Sequence, residues 1–208
     1  MKLVVSKIDK FDNEAAFEDA LIAIQSFDPE RYKKINRIKP LPEKKRVLAA
    51  GMLVKEMCED LAISDPHINV DEHGKPYLNG HPDIFFNLSH SGQYVAIVYG
   101  DRPIGIDIQE HKDLNESLAK RIMNEAELSA YAKDAAITCR LWTVKEAYSK
   151  FLGIGLSYDF TNCKVDFCRK IITDTSGRFR DCEFREYTID SSKDDNDSNN
   201  LYYCAFCF

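Results

Sequence analysis

The apolar residues of this chain recur with two periods, and the switches between them mark its elements. Residues 2–6 read as an opening strand, and "NEAAFEDALIAIQSF" then places Ala16, Phe17, Leu21, Ile24 and Phe27 at helical spacing. In "PEKKRVLAAGMLVKEMCEDLAI", Val47, Met52, Val54, Cys58 and Leu61 fall on one side, with Lys55, Glu56, Glu59 and Asp60 opposed, which predicts an amphipathic helix. "DEHGKPYLNGHPD" is dense in turn residues. "IFFNLSHSGQYVAIVYGDRPIGIDIQ" reads as three strands parted by "SHSG" and "GDRP". Helical spacing returns in "NESLAKRIMNEAELSAY" and "DAAITCRLWTVKEAYSKFLG", the second stopping at Gly153 as a C-terminal glycine should. The remainder alternates as short strands around a polar, low-complexity hairpin tip at 189–200, and "LYYCAFCF" closes as a buried strand.

Helices followed by strands occur twice, so the expected fold is α+β, built from two similar α/β lobes. The boundary falls at residues 102–103, giving an N-terminal lobe over 1–103 and a C-terminal lobe over 104–208. A hydrophobic content of 44% over 208 residues is ample for burial without covalent staples. The seven cysteines are odd in number and scattered, without the Cys and His spacing of a structural zinc site, and packing thiols in a reducing compartment follow. The N-terminus holds only a three-residue apolar run before charges return, and no window approaches a membrane span, so a cytoplasmic protein without membrane contact is expected.

Net charge of −6 argues against nucleic acid as a partner, yet the average hides a local reversal. Residues 31–46, "RYKKINRIKPLPEKKR", carry eight Lys/Arg against one Glu and are interrupted by Pro40 and Pro42. That is an anion-attracting segment on an acidic chain.

Three stretches carry candidate chemistry. In "IGIDIQE" strand alternation sends Asp107 and Gln109 to one face and Ile106, Ile108 and Glu110 to the other. Alone, Asp107 reads as an edge-strand acid facing solvent; the sharper reading is a hard-cation ligand, because Mg²⁺ takes one or two carboxylates and fills its shell with water and phosphate. In "LWTVKEAYSKFLGIG", Glu146 and Lys150 lie four apart on one helix face. Such a pair is commonly a solvated bridge worth under about 1 kcal/mol, but Trp142, Ala147, Phe151 and Leu152 imply that this helix is packed. In "NLSHSG", Ser89, His90 and Ser91 stand at a strand end where hydroxyls, backbone N–H groups and an imidazole converge on an oxyanion. Neighbouring strand residues point apart and no nucleophile-elbow glycines flank the serine, which excludes a hydrolase triad. No G-x-x-x-x-G-K-[ST] or G-x-G-x-x-G is present. A polyphosphate with Mg²⁺ between Asp107 and Glu146 unites the pieces, and coenzyme A fits.

With "GKP" at 74–76, "FNLSHSG" at 86–92, "IGIDIQ" at 104–109 and "WTVKEAYSK" at 142–150 in this order, the sequence resembles the 4′-phosphopantetheinyl transferases of the surfactin-synthetase-activating type. The resemblance implies a monomer of two lobes related by a pseudo-twofold axis, with coenzyme A and Mg²⁺ (Mn²⁺ as an alternative) in the cleft between them. It implies transfer of the phosphopantetheine arm to a serine of an acyl or peptidyl carrier protein, with release of adenosine 3′,5′-bisphosphate. By motif, Asp107 and Glu146 ligate the metal and Lys150 stabilises or protonates the leaving phosphate. His90, Arg46, Arg31 and Lys34 contact the coenzyme A phosphates, with Lys75, Pro76 and Ser89 lining the nucleotide pocket. Gln109 departs from the pattern, standing where that subclass has a third acidic ligand. Its amide oxygen still coordinates a cation but brings no charge. The alternative is a catalytically silent relative that binds coenzyme A or the carrier. "FLGIGLSY", residues 151–158, reads either as a carrier docking surface or as core.

Overall fold

The structure, a computed structural model, describes residues 1–112, 115–131, 134–191 and 201–208. It contains two compact units, Met1–Arg102 and Pro103–Phe208. Most of the polar tip expected at 189–200 lies outside the described residues.

The first unit runs β1 (Lys2–Lys7), α1 (Glu14–Phe27), α2 (Pro29–Arg37), α3 (Leu41–Asp60), β2 (His67–Val70), β3 (Pro76–Asn79), β4 (Phe85–Ser91) and β5 (Tyr94–Gly100). β5 is central in an antiparallel sheet of order β1-β5-β4, and β2 and β3 form a separate two-stranded hairpin. Val95, Ile97 and Tyr99 alternate from β5 into a core shared with Ile24 of α1 and Leu48, Leu53, Val54 and Met57 of α3. Two of the helix starts have a side-chain cap. Asn13 Oδ1 accepts from Ala16 N to cap α1, while Asp28 Oδ1 accepts from Arg31 N at 2.9 Å, with Pro29 at the first position of α2.

That cap changes the reading of the basic segment: its first half is a helix, ending at Arg37 ahead of Pro40. α3 also departs from the one-sided stripe, since Leu48, Ala49, Ala50, Leu53, Val54, Met57 and Cys58 are all buried. Leu61, assigned to the apolar side, is the exposed C-cap. Among α1 residues, Ala20, Leu21 and Ile24 are buried and Ala16 is exposed. The "SHSG" break narrows as well. Residues 89–91 pair within β4, and the turn is Gly92 and Gln93, with Gly92 at φ 51° supplying the positive φ of a two-residue hairpin.

The second unit runs β6 (Gly105–Glu110), α4 (Glu116–Ile122), α5 (Glu125–Tyr131), α6 (Ala135–Leu152), β7 (Cys163–Asp166), β8 (Ile171–Asp174), β9 (Cys182–Asp190) and β10 (Leu201–Cys207). Its antiparallel sheet has the order β6-β10-β9-β8-β7. Ala147, Tyr148 and Phe151 of α6 pack with Phe184, Ala205 and Cys207 of the sheet. The helix ends as expected at Gly153, φ 76°, whose N–H donates to Lys150 O. "NESLAKRIMNEAELSAY" is two helices rather than one. Asn124 Oδ1 accepts from Glu127 N at 2.9 Å and Glu127 Oε2 from Asn124 N at 3.0 Å, a capping box that restarts the chain after Met123.

Lys145 of α6 is wholly buried and donates to Ile122 O (2.6 Å), Glu127 Oε2 (2.6 Å) and Phe160 O (3.1 Å), tying α6 to α4, to α5 and to the turn following α6. All seven cysteines are free, with Cys168 exposed and the other six buried. Both units lay long helices on antiparallel sheets, so the architecture is α+β. Among the described residues, no helix is long and apolar enough to cross a membrane.

Candidate active site

The acidic centre is assembled within the second unit by β6 and α6. A Cβ on Gly105 would overlap backbone atoms of Ala147, Lys150 and Phe151, so only glycine lets this strand lie so close to the helix. Two residues on, Asp107 is 2% exposed. Its Oδ1 accepts from Lys150 Nζ at 2.7 Å, and its Oδ2 accepts from Gln109 Nε2 at 3.1 Å, as strand alternation predicts for residues sharing a face.

Glu146 lies one helical turn before Lys150 and is 9% exposed. Its Oε1 is buried and has no hydrogen-bond partner among the described residues. Burial, and secondarily the charge of Asp107, push the Glu146 carboxyl up to about 7, while Lys150 opposes the shift. The ion pair of Lys150 therefore runs across to the strand, to Asp107, rather than along the helix to Glu146.

An orphaned buried carboxylate oxygen is costly unless something ligates it. Asp107, Glu146 and the amide oxygen of Gln109 suit a hard divalent cation that keeps water and phosphate in its shell. Among the described residues, no three His, Cys, Asp or Glu side chains gather for a metal.

The candidate phosphate-binding residues belong to the first unit. Arg46 Nη1 donates to Gly92 O at 3.1 Å, which brings α3 to the β4–β5 turn that follows Ser89 and His90. Ser89 is buried and His90 exposed, as alternation on β4 requires. Arg31 Nε donates to Asp28 Oδ2 at 3.0 Å, and Lys34 is exposed on the same helix. Lys75 and Pro76 are on the β2–β3 hairpin, where Asp71 Oδ1 accepts from Lys75 N at 2.8 Å and Gly74 has φ 80°. These cations are thus spread over α2, α3 and the hairpin. Sequence reasoning missed Asp28 and Glu43, which hold the two arginines; an acid three residues before each was the available signal.

In "FLGIGLSY", Phe151 and Tyr158 are core residues, whereas Leu156 is 70% exposed. Leu156 lines a cavity of about 600 Å³ with Trp142, Tyr158, Phe160 and Arg121.

Residues 103–207 match the family model described as the 4′-phosphopantetheinyl transferase superfamily, and residues 13–100 match one described as 4′-phosphopantetheinyl transferase, N-terminal. The chain is 34% identical over 145 residues to 4′-phosphopantetheinyl transferase Sfp of Bacillus subtilis strain 168, covering 66% of this chain and 65% of that protein, just under two thirds. It is 32% identical over 159 residues to a 4′-phosphopantetheinyl transferase of Bacillus subtilis, covering 73% and 70%. With 4′-phosphopantetheinyl transferase psf-1 of Bacillus pumilus it shares 30% over 172 residues, covering 78% and 73%. A family model over half of the chain, joined by these relatives, shows that the chain belongs to the 4′-phosphopantetheinyl transferase superfamily.

Proposed function

We propose that this chain transfers the 4′-phosphopantetheine arm of coenzyme A to a serine of an acyl or peptidyl carrier protein, converting apo to holo carrier and releasing adenosine 3′,5′-bisphosphate. The supporting observation is Glu146, a buried carboxylate with an oxygen that has no hydrogen-bond partner among the described residues, beside the ion pair of Asp107 with Lys150. Asp107, Glu146 and Gln109 would hold Mg²⁺, with Mn²⁺ as a substitute, and the ion would supply Lewis-acid chemistry toward the pyrophosphate. Glu146 takes the proton of the carrier serine hydroxyl as the general base. The serine oxygen bonds to the β-phosphorus of coenzyme A as the phosphorus–oxygen bond to adenosine 3′,5′-bisphosphate breaks. Lys150 neutralises or protonates the departing phosphate. Arg31, Lys34, Arg46 and His90 hold the coenzyme A phosphates, and Lys75, Pro76 and Ser89 line the nucleotide pocket.

Incubating the chain with coenzyme A, Mg²⁺ and a panel of apo carrier proteins should give a mass gain of one phosphopantetheine on a carrier, together with free adenosine 3′,5′-bisphosphate. Binding of coenzyme A without a mass gain on any carrier would instead establish the silent relative, a reading favoured only by Gln109.

Gln109 also makes a prediction of its own. Its amide donates to Asp107 Oδ2, so Gln109→Glu exchanges a donor for a third carboxylate beside Asp107 and Glu146. Apparent affinity for Mg²⁺, read from activity against metal concentration, should rise about tenfold, the scale of changes in groups that support metal ligands. Identical Mg²⁺ and Mn²⁺ titrations for variant and wild type would remove Gln109 from the metal site.

A further inference from the structure

Arg46 is held from two directions. Glu43 Oε2, one turn earlier on α3, accepts both Arg46 Nε at 3.0 Å and Nη2 at 2.8 Å, while Gly92 O accepts Nη1 at 3.1 Å. Among the described residues, these bonds use three of the five guanidinium N–H groups and leave one on each terminal nitrogen, the number a phosphate accepts in a bidentate contact. The side chains are 22% exposed for Arg46 and 37% for Glu43, so the pair is shielded yet open to a ligand.

We propose that Glu43 is a positioning residue for phosphate recognition: it locks the Arg46 guanidinium against the β4–β5 turn so that its two remaining N–H groups meet the terminal phosphate monoester of the donor. This rests on the reading of Arg46 as a coenzyme A phosphate contact. The physical basis is preorganisation. A free arginine carries about 2 kcal/mol of rotamer entropy, and a guanidinium already fixed in the fold surrenders little of it on binding.

Charge alone makes the opposite forecast. Glu43 is an anion beside a phosphate site, so if it acted only through its field, removing it would tighten the binding of a phosphate. A purely structural ion pair this exposed contributes about 0–1 kcal/mol to stability and leaves discrimination between donors untouched.

The test compares Glu43→Ala, Glu43→Gln and wild type with two donors, coenzyme A and dephospho-coenzyme A, which lacks the 3′-phosphate. For Glu43→Ala, KM for coenzyme A should rise about tenfold, on the scale of about 1.4 kcal/mol, with kcat falling no more than about twofold. The rise should largely vanish with dephospho-coenzyme A. Glu43→Gln keeps a carbonyl acceptor in place and should recover most of the loss. A lower or unchanged KM in Glu43→Ala, or an equal rise with both donors, overturns the proposal. Calorimetry with adenosine 3′,5′-bisphosphate separates this outcome from failure of the wider reading. Wild type that binds it about tenfold more tightly than Glu43→Ala supports the role of Glu43 whether or not a carrier has been found; wild type that does not bind it at all refutes both.

Discussion

Glu146→Gln should abolish phosphopantetheine transfer and, at pH 8, make the folded chain more stable by about 3 kcal/mol. The carboxyl moves from an ordinary 4.5 to about 7 on folding, chiefly through burial and then through the charge of Asp107. Between those values the folded chain holds a proton that the unfolded chain has released, so stability falls as pH rises. The contribution is complete below about 4.5 and gone above about 7. At about 1.4 kcal/mol per unit, the loss over this interval is about 3 kcal/mol. Glutamine has no proton to lose and escapes it. Denaturant unfolding with a chelator present, at pH 4 and pH 8, reads the effect: the two proteins should be alike at the lower pH and diverge at the higher. Parallel stability profiles would show that Glu146 is not a buried charge. Substantial residual transfer at neutral pH would remove it from the proton-accepting role.

The next residue along the helix has the converse property. Lys145→Ala should cost about 3–5 kcal/mol, the scale for removing one member of a buried ion pair. The substitution strands the Glu127 carboxylate, whose side chain is only 10% exposed, and takes the donor from Ile122 O and Phe160 O. Replacing both partners, Lys145→Met with Glu127→Gln, should recover at least half of the loss, because no charge is then left alone in the interior. Denaturation midpoints of the single and double variants measure this. A single-variant cost below about 1 kcal/mol, the worth of an exposed pair, would mean that water enters and solvates Glu127. Adjacent positions on one helix thus divide their work: Lys145 is stabilised by three acceptors, while Glu146 is kept short of donors.

What could be read in the sequence was local. Alternation along "GIDIQ" put Asp107 and Gln109 together, and the structure joins them by a hydrogen bond. Gly153 marked the end of α6, and the four-residue spacing placed Glu146 and Lys150 on one side of it. Local signals also lay unread: the Asp28–Pro29 start of α2 and the Asn124/Glu127 capping box obey short-range rules, but runs of basic or helix-forming residues masked them. Lys145 had no local signal at all, because two of its acceptors are carbonyls 23 and 15 residues away. Nor could spacing show that Lys150 pairs with an acid 43 positions earlier. Non-local pairing depends on packing, which periodicity does not encode.

Gly105 sets how these charges respond to change. Since the strand meets α6 through backbone, with no side chain between, the separation of Asp107 from Glu146 and Lys150 is fixed by two main chains in contact. Such a contact works as a gauge. A longer acid at position 107 cannot be accommodated by letting the strand retreat, nor a shorter one at position 146 by letting the helix advance. Tolerance at this centre is therefore measured in side-chain length: Asp107→Glu and Glu146→Asp preserve every charge, yet each misses the other's position by about the length of one methylene.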